Sequence, residues 1–406
     1  MDATGNLVVA GCRLIDLAHR YGTPVLVIDE TAVRRQVQRF SSALREGWPL
    51  SRVTFASKAF PCTAMYELMA GEGIGVDVAG GGELVMALAG GVDPSLMILH
   101  GNAKSTAEIS MALDAGVGTI VIDNFDDIDR LERLTRREQG VLLRIIPGVR
   151  PDTHAAVSTG QVGSKFGLDG VQATEAIARL RSSTNLRLDG LHAHIGSQVL
   201  STEPFEIEVA ALAEFGDFAV YDVGGGLGVR YTYHQLAPTP EEWSYAITAA
   251  ARRHLPAAAQ LIVEPGRSMV ARAGFTLYTV NTVKHGSSTF VAVDGGMADN
   301  LDVSLYGERF EASVVDRVGG GEVVTVVGRH CESGDTLITD VALRTARVHD
   351  VLVVPVTGAY TFTMQNNYNG ALRPPLVFVE NGHSHLRVRR ETYDDFFRRD
   401  VAPGDG

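Results

Sequence analysis

Short β-branched runs open at Val53, Gly75, Met97, Thr119 and Val141, 22 residues apart each time. That interval accommodates one strand, one turn and one amphipathic helix, and repeating the unit builds a parallel sheet. The intervening stretches 105–115 and 126–137 carry apolar residues three and four apart, the helical period. Three more strand-like stretches lead into 192–197, 222–226 and 261–267. Eight such units predict an α/β fold, a (β/α)8 TIM-type barrel, with an open doubly wound sheet as the alternative.

After Gly274 the texture changes to strand-like runs at 275–282, 289–294, 322–327, 336–340, 351–356, 376–379 and 385–388. Gly, Asn and Asp turns separate them, and helical periodicity returns only near 391–398. A C-terminal all-β domain is expected. The expected division is an N-terminal segment 1–30, part of it packing with the β domain through a strand at 7–10, a barrel at 31–272, and the β domain at 273–406. Residues 402–406 are expected to fray.

Composition narrows the partners. The 406-residue chain holds 36 Lys+Arg against 48 Asp+Glu, a net charge of −12. An acidic surface repels phosphate backbones and anionic lipid heads, which disfavours nucleic acid and membranes and favours a small molecule. Cys12, Cys62 and Cys331 are odd in number and widely spaced. They fit neither a zinc knuckle nor a disulfide scaffold, so a cytoplasmic location is expected. No apolar run approaches the ~18 residues of a membrane span, and no basic region precedes an apolar stretch at the N-terminus.

Reactive groups in a (β/α)8 barrel stand at the C-terminal strand ends. Those ends offer Lys58, Asp77, His100 with Asn102, Asp123, Arg144, His194 with Ser197, the turn Gly224-Gly225-Gly226, and Glu264 with Arg267. Any one of them suits a helix cap or a solvated loop; eight polar ends together resist that reading. Lys58 reads either as a surface lysine that snorkels or as a desolvated amine suited to condense with an aldehyde. If the aldehyde belongs to pyridoxal phosphate, Glu264 across the mouth pairs with the pyridinium nitrogen. The glycine triplet lets backbone N–H groups approach a phosphate after the seventh strand, although its spacing is no dinucleotide fingerprint.

His192 and His194 alternate along a strand and form a candidate metal pair, but the sequence offers no evident third ligand and no metal is expected. A neutral His194 stacked on a cofactor ring, with Ser197 bonded to its phosphate, uses that strand end more naturally. Further on, Cys331 between His330 and Glu332 reads either as a structural thiol or as a proton donor in an exposed turn. Gly358-Ala359-Tyr360 places a phenol at a strand end.

Ten motifs in one order resemble the fold-type III pyridoxal-phosphate decarboxylases, the class-II ornithine, lysine and arginine decarboxylase family that includes diaminopimelate decarboxylase. They are Phe55-Ala56-Ser57-Lys58-Ala59, Val76-Asp77-Val78 with Gly81-Gly82-Glu83-Leu84, His100-Gly101-Asn102 with Lys104, Ser164-Lys165-Phe166-Gly167, and His194-Ile195-Gly196-Ser197-Gln198. Asp222-Val223-Gly224-Gly225-Gly226-Leu227-Gly228, Glu264-Pro265-Gly266-Arg267, Asp294-Gly295-Gly296-Met297, Cys331-Glu332-Ser333-Gly334-Asp335 and Gly358-Ala359-Tyr360 complete the series.

The resemblance implies a pyridoxal-phosphate-dependent amino-acid decarboxylase. It also implies a head-to-tail homodimer in which Cys331 and Glu332 of one subunit enter the barrel mouth of the other. Lys58 would bond the cofactor aldehyde, His194 would stack on the ring, and Glu264 would hold its nitrogen. Asp77, Ser197, Gly225, Gly226, Gly266, Arg267 and Tyr360 would line the cofactor and its phosphate. Cys331 would return a proton to the α-carbon, and Arg267, Tyr306, Glu332 and Tyr360 would contact substrate.

One position departs from the family pattern. Relatives acting on diaminopimelate carry an Arg four residues before a Tyr, shortly after Asp-Gly-Gly-Met, where it holds the distal carboxylate. Here Tyr306 is kept and Asp302 stands in the Arg position. The change amounts to two charge units, each worth roughly 4 kcal/mol before screening at ~4 Å and an effective dielectric near 20. A basic or modified amino acid is therefore the expected substrate. The alternatives are that Asp302 faces solvent and Arg267 or Arg309 supplies the charge, giving an authentic meso-diaminopimelate decarboxylase of lysine biosynthesis; an amino-acid racemase; or a catalytically silent homologue.

Overall fold

The computed structural model describes residues 1–2, 5–149, 160–161 and 163–401; the stretch 402–406, expected to fray, lies outside them. Two compact units emerge. One comprises Arg34–Arg230 and Leu236–Val270, and the other Met1–Val33, Tyr231–Gln235 and Ala271–Gly406.

The first unit is a closed barrel of eight parallel strands: Ser51–Ala56, Gly75–Val78, Ile98–Leu99, Thr119–Ile122, Gln139–Arg144, Leu186–His192, Val220–Asp222 and Gln260–Val263. Closure is made where the last strand pairs with the first, Leu261 opposite Ser51 and Val263 opposite Val53, which excludes the open sheet. These strands read as continuous apolar runs because both faces are covered; every residue of Gln139–Arg144 is buried. Ile98, Val121, Leu142 and Ile262, from four strands, form one buried cluster.

Local chemistry sets the helix ends. Ser105 and Glu108 form a reciprocal capping box that opens Thr106–Ala115, and Gly116 in the left-handed region closes it. Thr239 and Glu242 do the same for Pro240–His254, with Pro240 in the first turn where its missing N–H costs nothing.

The second unit is built on a sheet in the order Thr336–Leu343, Glu322–Val327, Thr289–Val293, Gly274–Lys284, Val25–Asp29, Leu376–Glu380, His383–Val388. Gly274–Lys284 is long enough to serve two neighbourhoods. Its first half pairs with Val25–Asp29 and Val351–Pro355, and beyond an irregularity between Val280 and Thr282 its second half pairs with Thr289–Val293. The N-terminal strand within this sheet is thus Val25–Asp29. The expected strand at 7–10 does not join it: Val8–Val9 pairs with Cys12–Arg13 across a two-residue turn, while Leu7, Val9 and Ala10 pack against the core of the β unit. Cys12, Leu14, Val25, Val27, Leu277, Val353 and Val377 share one core. Among the described residues, no helix is long and apolar enough to cross a membrane.

Candidate active site

The C-terminal strand ends of the barrel bring together the residues that the sequence places there. Ser51–Ala56 runs directly into a short helical turn, Ser57–Ala59, which leaves Lys58 exposed between two buried neighbours. Two acids fix that turn. Asp77 accepts from the Ser57 backbone N–H at 3.0 Å, and Glu83 accepts from the Ser57 hydroxyl at 3.2 Å and from the Ala79 N–H at 2.7 Å. Burial, with the charge of Glu264 adding to it, pushes the Asp77 carboxyl up to about 7.

Glu264 follows the eighth strand and is 5% exposed. Its Oε1 lies 2.7 Å from His100 Nε2 and its Oε2 lies 3.2 Å from His192 Nε2. Burial opposes its charge, yet the two histidines outweigh burial and hold the carboxyl well below its ordinary range. In the nearby Asp222, burial and the Glu264 charge outweigh the Gly224 N–H that it accepts at 2.9 Å and drive it well upward. Glu264 thus stays ionised beside Asp77 and Asp222, two acids that are disposed to keep their protons.

His100, His192 and Glu264 place three donor atoms within 4.8 Å of one another. The sequence leaves His192 without a third ligand; the fold supplies two partners from other strands, and neither is His194. The strand ends at His192, so His194 lies beyond the alternation that pairs them in the sequence. His194 Nδ1 instead accepts from the Gly225 N–H at 3.2 Å, which fixes the ring against the glycine loop. Burial and the Lys58 charge hold this imidazole well below its usual range, so it is neutral.

The glycine loop is tight. A Cβ on Gly225 would meet the Glu264 carbonyl oxygen at 2.0 Å, and one on Gly226, at φ +108°, would meet the Gly196 carbonyl oxygen at 2.3 Å. Beside it, the buried Arg267 donates from Nε to Ser197 Oγ at 3.3 Å, and Gly266 lies against Ala56. Lys104, buried, holds the turn after the third strand by bonding the Gly101 carbonyl at 2.5 Å and Asp127 at 2.6 Å. Arg144 lies over the Phe166 ring at 4.4 Å and pairs with Asp123 at 3.6 Å.

The second unit gathers the remaining candidates on neighbouring turns. Asp335 accepts from the Met297 N–H and the His330 N–H, both at 2.7 Å, tying the Asp294-Gly295-Gly296-Met297 turn to the turn that bears Cys331. Cys331 and Glu332 are exposed; the Cys331 N–H donates to Asn369 Oδ1 at 2.8 Å and the Tyr368 hydroxyl reaches Glu332 at 3.4 Å. Asp302 opens the helix Asp302–Tyr306 and is 1% exposed, so it does not face bulk solvent. Ser304 of that helix donates to the Gly334 carbonyl at 3.3 Å, which links it to the Cys331 turn. Tyr360 sits at φ +64°, a left-handed conformation that is uncommon for an aromatic residue.

Sequence reasoning lists His100 and Arg144 among the polar strand ends and weighs His192 as a metal ligand, but gives none of these three, nor Glu83, a role in the site. The signal for His100 and His192 is their place beside strand ends. What the barrel donates fits pyridoxal phosphate: an exposed amine, an ionised carboxylate with lone pairs in reserve, and a glycine loop too close for any side chain.

Comparison with known proteins agrees with that fit. Residues 30–271 match the pyridoxal-binding domain of the pyridoxal-dependent decarboxylases. The diaminopimelate decarboxylase of Actinosynnema pretiosum subsp. auranticum is 43% identical over 98% of this chain and 93% of its own, and that of Bacillus subtilis (strain 168) is 41% identical over 98% and 95%. The crystal structure of the M. jannaschii diaminopimelate decarboxylase with L-lysine superposes with a TM-score of 0.93 at 31% identity, covering 99% of this chain and 98% of that one. The chain belongs to the fold-type III pyridoxal-phosphate-dependent amino-acid decarboxylases.

Proposed function

We propose that this decarboxylase acts on an amino acid whose far end is cationic or polar, at a site shared between two copies of the chain. The observation that carries the reading is Asp302, a buried carboxylate two residues ahead of the serine that bonds the Cys331 turn. Ionised beside a cationic substrate group, it would oppose a distal carboxylate and favour an ammonium or guanidinium.

Pyridoxal phosphate, when bound, supplies the electron sink that accepts the pair left behind as CO2 departs. The Lys58 amine would hold the cofactor by its aldehyde. His194, locked by Gly225, would present a ring face to the pyridine. Glu264 would hold the ring nitrogen in its protonated state. Gly225, Gly226, Ser197, Arg267 and Tyr360 hold the phosphate and its surroundings, and Asp77 and Gly266 shape the floor around Lys58. Cys331 Sγ delivers a proton to the α-carbon after CO2 has left, while Glu332 and Tyr306 orient the substrate. Because Cys331 and Glu332 are exposed on their own chain, they are assigned to the mouth of a second copy. The exposed thiol suits a reducing compartment, which supports a cytoplasmic location.

The test is CO2 release from lysine, ornithine, arginine and meso-diaminopimelate by the holoenzyme. We expect meso-diaminopimelate to trail the best basic substrate at least ~tenfold, and Asp302→Arg to shift that ratio toward meso-diaminopimelate by ~tenfold or more. Equal turnover of meso-diaminopimelate would favour the second reading, an authentic diaminopimelate decarboxylase, which the names of relatives sharing 36–43% identity support. Mixing inactive Lys58→Ala and Cys331→Ala chains tests the shared site: random re-pairing should restore about a quarter of the activity if each site draws one residue from each copy.

A further inference from the structure

We propose that His100 and His192 are positioning residues that clamp Glu264 from two sides and aim its remaining lone pairs at the cofactor's ring nitrogen. The inference rests on the reading that Glu264 faces that nitrogen, and it assigns a task to two histidines that the proposed mechanism leaves idle.

The geometry is specific. An ionised carboxylate only accepts hydrogen bonds, so both Nε2 atoms, at 2.7 and 3.2 Å, carry the hydrogen. Burial holds the His192 imidazole down to about 3, so it is neutral with its single proton on Nε2, and its Nδ1 has no hydrogen-bond partner. The carboxylate therefore dictates the tautomer. The His100 and His192 rings meet edge to face, centroids 4.8 Å apart at 63°, so neither turns without displacing the other. His100 is held in turn from below, because Lys104 bonds the carbonyl of Gly101, the next residue, and anchors it to the buried Asp127.

A carboxylate offers about four lone-pair sites and the clamp occupies two, one on each oxygen. Both oxygens keep capacity toward the barrel mouth, and the plane of the group is fixed before any ligand arrives. An arginine in place of either histidine would orient the group but cancel its charge. An alkyl side chain would remove one of the two donors that keep the group ionised and free its plane to rotate.

The test measures cofactor affinity. Apoprotein is titrated with pyridoxal phosphate and with its 1-deaza analogue, in which a ring C–H replaces the nitrogen, and the ratio of dissociation constants reports how well the nitrogen is recognised. Wild type is expected to prefer the nitrogen ring, and His100→Leu to reduce that preference by about tenfold or more, as expected when a charge-assisted hydrogen bond loses its alignment. His100→Gln, which retains an N–H donor, should recover most of it. A purely structural role would weaken both ligands equally and leave the ratio untouched, which overturns the clamp. Glu264→Gln separates the premise from the inference. If Glu264→Gln abolishes the preference and His100→Leu does not, the clamp alone fails; if Glu264→Gln leaves the preference intact, the underlying reading of Glu264 fails and the clamp falls with it. His100 is 12% exposed and serves as the probe because it is less deeply packed than His192 at 1%.

Discussion

Two buried carboxyls, one in each unit, sit in opposite states. Glu264 in the barrel is held ionised, whereas Asp299 in the β unit is pushed up to about 7 by burial, with the charges of Asp294 and Asp335 adding to it. Both are nearly sealed from solvent. What separates them is the company: two imidazoles face Glu264, while Asp299, beside the Tyr278 hydroxyl and the Gly296 N–H, stands among the like charges of Asp294 and Asp335. The lesson is that burial sets the cost of a charge and the donors decide whether it is kept. The surroundings differ in the same sense. Barrel-mouth groups are tied largely by side chain to side chain. In the β unit the Cys331 turn is pinned mainly through backbone N–H groups, by Asp335 and Asn369, and offers its reactive side chains outward.

The comparison can be broken most sharply at Lys58. Lys58→Ala should lower CO2 release by on the order of 10³-fold or more and abolish trapping of the cofactor by borohydride, since the amine proposed to hold the aldehyde is gone. Cys331→Ala should cost on the order of 10²-fold or more in kcat while cofactor affinity stays near wild type. Loss of cofactor binding in the cysteine variant would erase the proposed distinction between a barrel that holds the cofactor and a turn that delivers a proton.

The smallest effect concerns Asp299. Its folded pKa of about 7 lies above the ordinary 3.8, so the folded chain binds the extra proton between those values and this group's contribution to stability falls as pH rises through that window, levelling above it. Asp299→Asn lacks the slope. Relative to wild type it should gain about 1 kcal/mol between pH 5 and pH 6, read from denaturant melts at each pH. A parallel pH profile for the two proteins would show that Asp299 is ionised after all.

Much of the barrel is legible in the chain because each strand, turn and helix repeats within 22 residues and is decided by local periodicity. The β sheet is less so. Val25–Asp29 is a plain apolar run, yet its partners Gly274–Lys284 and Leu376–Glu380 lie hundreds of residues on, and no local pattern specifies that pairing. The site divides the same way. Lys58, Asp77, Ser197 and Glu264 are found by asking which polar residues follow strands. The link from Glu264 to His100 and His192 spans 164 and 72 residues, and it exists only because closure of the cylinder turns those tips toward one another. The backbone state of Tyr360 is equally silent in sequence, since a strand-end tyrosine ordinarily avoids positive φ.

The contact between Gly225 and the main chain of Glu264 makes a gauge of the pocket. The loop assigned to the phosphate and the acid assigned to the ring nitrogen touch directly, and the Glu264 N–H bonds the Gly224 carbonyl at 2.7 Å, so they move as one block. The span between the two grips is thereby preset, and a vitamer lengthened by one methylene on its phosphate arm would fall out of registry at one end or the other.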